Sequence, residues 1–466
     1  MTTQSRSAPI WSSRVATYLA TVGAAVGLGS IWRLPYLVGT SGGSAFVFVF
    51  VLACLGIATP LLVAEFVLGR RARQSPPDAA GAVAVESGLS RRWNAIGVLG
   101  TIAAFTIISY YTVVAGWVLA YTFKVGTGAL SGLHRSQVAD LWHGFLARPL
   151  EVGAWHLAFV ALVAFISARG VSRGIEVANR VRAPALLVLL LILAAYALFT
   201  GDAAAVADGL HFAFAPDFSA ITPQVVLAAI GQAFYATGVG MAMMLVYGSY
   251  IARGTSLVRP ALFISGSILL VSLLATLTIF PLVFRYGMNP AQGSELVFDV
   301  LATVFAEMPG GRLIGTLFFL LLVFAALTPS IAGIEPVVAW LQQHRGASRS
   351  SAVLVAAGGA WALGLGSVLS FNLWADWHPL DWLPLTRWAP AFATKTFFDC
   401  LDYVTSNILL PIGALLVSAL VGWRLSRKIV DEELAETTPF ARRLCIWLLR
   451  YACPLAIAAV FVSTLF

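Results

Sequence analysis

The chain of 466 residues is 59% hydrophobic and only 11% charged, with a mean hydropathy of +0.87. That balance excludes a water-soluble globular domain and points to an all-α polytopic membrane protein in a lipid bilayer. The net charge of +8 does not imply a nucleic-acid partner, because the basic residues are dispersed over the ends of apolar runs.

Apolar runs of about 20 residues predict eleven spans. They fall near 13–37, 43–69, 95–124, 153–169, 181–200, 222–250, 260–285, 313–343, 352–371, 397–423 and 443–465. The third, sixth and eighth are too long for one straight crossing, so tilts or kinks are expected. The connections at 125–152, 201–221, 286–312 and 372–396 are long and rich in Pro, Gly, Trp and Asp, as loops that cap a cavity often are. Of the 29 lysines and arginines, 21 fall on the side of the N-terminus and 7 opposite, leaving Arg33 inside the membrane. The positive-inside rule then puts the N-terminus in the cytoplasm and the C-terminus outside. Cys54, Cys400, Cys445 and Cys453 lie in or beside apolar runs and form neither a metal spacing nor a disulfide framework.

The first span contains an anomaly from Thr21 to Pro35: Gly23, Gly27 and Gly29, then Arg33, then Pro35. Glycine costs roughly 1 kcal/mol per residue in a helix relative to alanine, and a charge in the membrane is expensive on any scale. A helix that breaks in mid-membrane accounts for both, its freed carbonyls and amides lining a polar cavity. A kinked helix whose glycines admit a close neighbour is the alternative. The sixth span repeats the pattern with Gly238 and Gly240 between Gly231 and Ala242. Interrupted spans at matching places in two five-span sets mark a transporter site. Amides at the half-helix ends suit an anionic substrate group and carbonyls suit a cation. The chain divides into a tail (1–12), a first repeat (13–200), an outer connection (201–221), a second repeat (222–425), and an inner loop with the eleventh span (426–466). There is no phosphate loop, nucleophile triad or metal cluster in the sequence, so an enzyme is not expected.

Several longer runs reinforce the pattern: A-V-G-L-G-S-I-W-R-L-P-Y at 25–36, S-G-G-S-A-F at 41–46, E-F-V-L-G-R-R at 65–71, S-Y-Y at 109–111 and G-Q-A-F-Y at 231–235. L-T-P-S-I-A-G-I-E-P follows at 327–336, and K-T-F-F-D-C-L-D-Y-V-T-S-N-I-L-L-P at 395–411. In these runs, and in order along nearly its whole length, the chain resembles the neurotransmitter:sodium symporter family, especially its eleven-span bacterial amino-acid transporters. The resemblance implies a five-plus-five inverted-repeat fold with broken helices 1 and 6 plus an eleventh span, located in the plasma membrane (the bacterial inner membrane). It also implies sodium-coupled uptake of an amino acid by alternating access. Two other readings stay open: a proton-coupled transporter in the same fold, and a non-transporting amino-acid sensor.

Carried over residue by residue, the resemblance assigns the substrate's carboxylate and amine to the backbone of Ala25, Gly27, Leu28 and Gly29, with the hydroxyl of Tyr111 on the carboxylate. Ile107, Tyr235, Gly238, Met241, Ser330 and Gly333 would line the side-chain pocket. Its two glycines and flexible methionine suggest room for a bulky apolar or aromatic side chain. Arg33 and Asp402 would pair as the outer gate. One sodium ion would be held by carbonyls of Gly23, Val26 and Ala325 with the hydroxyl of Thr328.

Other positions depart from the family. Ser30, Ala236 (beside Thr237) and Ile268 stand where a first sodium site needs side-chain oxygens, so that site is not expected to work. Pro329 replaces a serine ligand of the retained site, leaving Ser330 or water to substitute. Phe50 replaces the tyrosine of a chloride site, which argues against chloride despite Gln232 and Ser272. Ala8 and Gln343 replace both partners of the inner gate, although Arg6 lies near the former. Glu65 and Glu335 remain as membrane carboxylates, which are proton-relay candidates or, as in relatives, helix-bonding groups.

Overall fold

The computed structural model describes Val22 and residues 25–170, 176–200, 202–290, 297–381 and 394–465. All regular elements among these residues are helical. Eight helices are long and apolar enough to cross a bilayer: Ser44–Ala72, Arg91–Gly126, Pro149–Ala168, Val258–Arg285, Gly311–Arg345, Arg349–Leu369, Phe397–Arg424 and Pro439–Phe461. They correspond to the expected spans 2, 3, 4, 7, 8, 9, 10 and 11. The other three are interrupted or short. Span 1 leaves helical geometry at Val26 and Gly27, and span 6 is split into Pro223–Thr237 and Met243–Ser249. Span 5, Glu176–Phe199, carries Pro184 in its interior, and its apolar part Pro184–Phe199 is short. The architecture is the five-plus-five inverted repeat with an eleventh span.

Spans 3 and 8 are the longest helices and pack along one another, with spans 4 and 9 against them. Together these four form a continuous wall. Both halves of span 6 pack on span 2, the first on its opening turns and the second on Thr59–Ala72. The second contact is close because Gly248 faces the Phe66 backbone: a Cβ at Gly248 would lie 3.0 Å from the Phe66 Cα. Small residues let helix backbones approach where lipid offers no hydrophobic drive.

Span 2 ends in an ion cluster. Arg70, almost fully buried, donates through Nε to Glu433 Oε2 at 2.6 Å and through Nη1 to the Thr255 carbonyl at 2.5 Å. Arg71 pairs with Glu86 and, at 2.7 Å, with Glu432. The Arg71 hydrogen bonds hold the Glu86 carboxyl below its usual range. Because Arg70 is bonded on several sides, its burial is compensated and the helix Arg427–Glu433 is fastened to span 2.

Candidate substrate and ion site

The two breaks face each other. In span 1, Gly27 forms a bend, a wide π-helical turn covers Gly29–Arg33, and Pro35 opens the following helix Leu34–Thr40, where its missing N–H is harmless. In span 6, the helix ends at Gly238 (φ 67°) and resumes after Ala242 (φ 57°), with Gly240 (φ 85°) between. Left-handed backbone is natural for glycine, but for Ala242 it costs about 1–2 kcal/mol. The unwound stretch is bonded from outside itself: Glu65 Oε1 accepts the Gly240 N–H at 2.7 Å. Across the cavity, the Tyr111 hydroxyl accepts the Leu28 N–H at 3.1 Å, and Gln232 Nε2 donates to the Gly29 carbonyl at 2.7 Å. The broken backbone therefore finds partners on spans 2, 3 and 6.

Between the breaks lies a cavity of about 40 Å³. Ala25, Gly27, Gly29, Ile107, Tyr111, Tyr235, Gly238, Met241 and Gly333 stand on its wall as the sequence suggests. Leu28 does not stand on the wall, and its amide is bonded to the Tyr111 hydroxyl. Ser330 does not stand on the wall: its hydroxyl turns back to the Ala326 carbonyl at 2.8 Å, the usual resort of a helical serine without a better acceptor. The wall also contains Ala104, Ile108, Ala236, Met243 and Pro329, which motif matching does not reveal. The doubled methionine at 243–244, just past the second break, was the available signal for Met243.

The room expected from the two pocket glycines is already taken. A Cβ at Gly333 would collide with the Ile108 side chain, and one at Gly238 would lie 2.5 Å from the Met243 methyl. Gly27 is required by close approach, since its Cβ would lie 2.5 Å from the Pro329 ring and 3.0 Å from the Tyr111 hydroxyl.

Above the cavity, the expected pairing of Arg33 with Asp402 is not made. The guanidinium of Arg33 lies 4.2 Å from the centre of the Tyr235 ring. Asp402 Oδ1 accepts instead from the Tyr110 and Ser406 hydroxyls, each at 3.0 Å. Each charge has a direct partner, a π-face for the cation and hydroxyls for the carboxylate, while the two charges stay near enough to attract one another without an ion pair.

The oxygens expected to hold sodium divide by site. Gly23 lies outside the described residues. Val26 is non-helical. Pro329, inside helix Gly311–Arg345, has no N–H, so the Ala325 carbonyl loses the donor that a regular helix supplies. Thr328 is buried, and its hydroxyl bonds to none of the described residues, whereas Thr112, Thr276 and Ser330 bond back to their own helices. Val26, Ala325 and Thr328 thus present oxygens suited to a hard cation. At the other site, Thr237 donates to the Ala233 carbonyl at 2.7 Å and Ile268 is fully buried. Ser30 Oγ, Gln232 Oε1 and Ser272 Oγ are buried without a partner among the described residues.

Both membrane carboxylates have bonding partners. Glu335 pairs with Arg349 and accepts from the Ser167 hydroxyl at 3.2 Å, while Arg349 Nε donates to the Ser167 carbonyl at 2.8 Å. Gln343, the replaced inner-gate residue, accepts the Ser75 N–H at 2.6 Å and so fastens span 8 to the helix Pro76–Glu86. Its expected opposite positions, Arg6 and Ala8, lie outside the described residues.

The profile of the sodium:neurotransmitter symporter family matches residues 8–142 and 146–366. A Bacillus subtilis protein named as the sodium-dependent transporter YhdH is 34% identical over 461 residues, covering 97% of each chain. A Haemophilus influenzae protein, also named as a sodium-dependent transporter, is 32% identical over 476 residues and covers the full length of both. A crystal structure of MhsT in complex with L-phenylalanine superposes with a TM-score of 0.87 at 34% identity, covering 98% of this chain and 99% of that one. Together with the paired broken helices, these likenesses place the chain in the sodium:neurotransmitter symporter family, as an integral membrane protein of a family of transporters.

Proposed function

We propose that this protein takes up an amino acid by alternating access, coupled to one sodium ion, with its N-terminus cytoplasmic and spans 1, 2, 6 and 7 rocking against the rest about the cavity. The observation that carries the reading is the Tyr111 hydroxyl on the Leu28 amide at the break of span 1. A tyrosine hydroxyl and backbone N–H groups at one end of an apolar cavity suit a carboxylate whose side chain points the other way. That MhsT binds L-phenylalanine is in keeping with this. Because Ile108 and Met243 fill the space beside the two glycines, the preferred side chain is apolar, and a large one requires Met243 to swing aside. Sodium would be held by Val26, Ala325 and Thr328, with Gly23 completing the set. Bound there, it would neutralise carbonyl dipoles at the break and draw span 1 towards span 8. Uptake of labelled amino acids into proteoliposomes, with sodium and pH gradients imposed separately, tests the reading. Accumulation driven by sodium alone supports it. Accumulation driven by pH alone, or binding without accumulation, overturns the coupling.

A further inference from the structure

Spans 10 and 11 meet at one end in a cavity of about 440 Å³ that is far from the substrate site in the chain and shares no residue with it. The crossing that builds it is reciprocally bonded. Ser418 Oγ donates to the Leu449 carbonyl and Arg450 Nε to the Gly422 carbonyl, both at 2.5 Å, and Trp423 Nε1 donates to the Arg450 carbonyl at 3.0 Å. Each span carries a π-helical turn there, Leu420–Arg424 and Leu448–Ala452. Such turns release carbonyls from the regular ladder, which is how Gly422 can serve Arg450.

The floor of the cavity is apolar, from Val421, Leu425 and Ile446, and its rim carries Arg427, Arg442, Arg443 and Arg450 against one carboxylate, Asp431. Arg442 takes that carboxylate at 3.3 Å. Arg427 and Arg443 are exposed and have no ion-pair partner among the described residues. Trp447 and Tyr451 stand on the groove at 55% and 51% exposure, and Trp423, 55% exposed, meets Tyr451 edge to face. Exposed indoles and phenols on a membrane span mark the headgroup level of the bilayer.

We propose that this groove binds an anionic phospholipid, its phosphate between Arg427 and Arg443 and its upper acyl chain on the apolar floor. Basic pockets between membrane helices at the headgroup level are suited to such lipids. A soluble phosphate would use the arginines alone and would need neither the floor nor the aromatic rim. The groove also touches the helix Arg427–Glu433, whose Glu432 and Glu433 hold Arg71 and Arg70 of span 2. A bound lipid would therefore brace the inner ion cluster.

The test is native mass spectrometry of the purified full chain with phosphatidylglycerol, phosphatidylcholine or inorganic phosphate added. The wild type should retain one phosphatidylglycerol in preference to phosphatidylcholine, and inorganic phosphate should not displace it. Arg427→Gln with Arg443→Gln should lower phosphatidylglycerol retention about thirtyfold, and lysine at both positions should preserve most of it. Equal retention of the two lipids by the wild type overturns the proposal without recourse to any variant. So does displacement by phosphate at comparable concentration, or undiminished retention in a glutamine variant whose thermal unfolding matches the wild type.

Discussion

The guanidinium of Arg33 rests on the face of the Tyr235 ring, 4.2 Å from its centre, and the same ring packs against the backbone at Gly29, where a Cβ would lie 3.0 Å from it. Tyr235 thus lies between the Arg33 charge and the cavity, and Arg33 holds it by a cation–π contact worth about 0.5–2 kcal/mol. Removing the cation should disturb closure more than binding. Arg33→Ala and Asp402→Ala are each expected to slow uptake into proteoliposomes by about tenfold or more, while equilibrium affinity shifts by about threefold or less, as for groups that act mainly in the closed state. Wild-type uptake rates in either variant would remove both residues from the gate.

Tyr111→Phe should weaken amino-acid binding by about 1–3 kcal/mol, the cost of leaving a charged acceptor short of one donor. It also strands the Leu28 amide, now bonded to the Tyr111 hydroxyl. Calorimetry on wild type and variant reads this directly, and unchanged affinity would refute the carboxylate role.

Glu65 acts on the second break. Its Oε1 accepts the Gly240 N–H, and a Cβ on Gly240 would come 2.8 Å from the Leu410 carbonyl oxygen, so the unwound stretch is clamped between spans 2 and 10. Glu65→Gln keeps an acceptor and should preserve folding and most of the binding. Glu65→Leu leaves a buried amide unpaired and should cost about 1–3 kcal/mol of stability. Thermal unfolding in detergent would show it. If glutamine is as damaging as leucine, the charge itself matters and the carboxylate becomes a proton-relay candidate again.

Gly333 and Ile108 form a contact testable as a pair. Gly333→Ala forces a methyl group into the Ile108 side chain and should weaken binding, and Ile108→Val in the same chain should recover part of the loss. Coupling of about 0.5–3 kcal/mol is the range for residues in contact. Strictly additive effects would mean that Ile108 does not fill the space beside Gly333.

What could be read from the sequence had a local cause. Gly27, Gly29, Arg33 and Pro35 in span 1, and Gly238 and Gly240 in span 6, are wrong for a lipid-facing helix whatever surrounds them, so both breaks are legible. Ser330 could not be placed, because a serine in a helix chooses between the cavity and its own Ala326 carbonyl by geometry that only packing sets. The filling of the glycine space by Ile108 and Met243 is likewise tertiary, and so is the choice of Arg33 between Asp402 and the Tyr235 ring. Pro329 was legible only in part: its loss of a hydroxyl is visible in the sequence, but its contact with Gly27 is not.

Pro329 also bears on the proposed ion coupling. It withdraws one hydroxyl from the proposed sodium site, yet its missing N–H leaves the Ala325 carbonyl short of a helical donor and so more available to a cation. Thr328 is then the one side-chain oxygen in the proposed set. Thr328→Val keeps the shape and deletes that oxygen, and should abolish sodium stimulation of binding. Ser30→Ala should leave it nearly intact, because the first site lacks oxygens at Ala236 and Ile268. Pro329→Ser adds a hydroxyl and should raise sodium affinity, provided the regained N–H does not recapture the Ala325 carbonyl. Substrate affinity measured against sodium concentration at fixed ionic strength distinguishes these outcomes. A Hill coefficient of about two in the wild type, or loss of sodium dependence in the Ser30 variant, would show two working sites. A flat sodium curve with uptake following pH would move coupling to protons. The first carboxylate to neutralise would then be Glu335, where Glu335→Gln would also break its pair with Arg349.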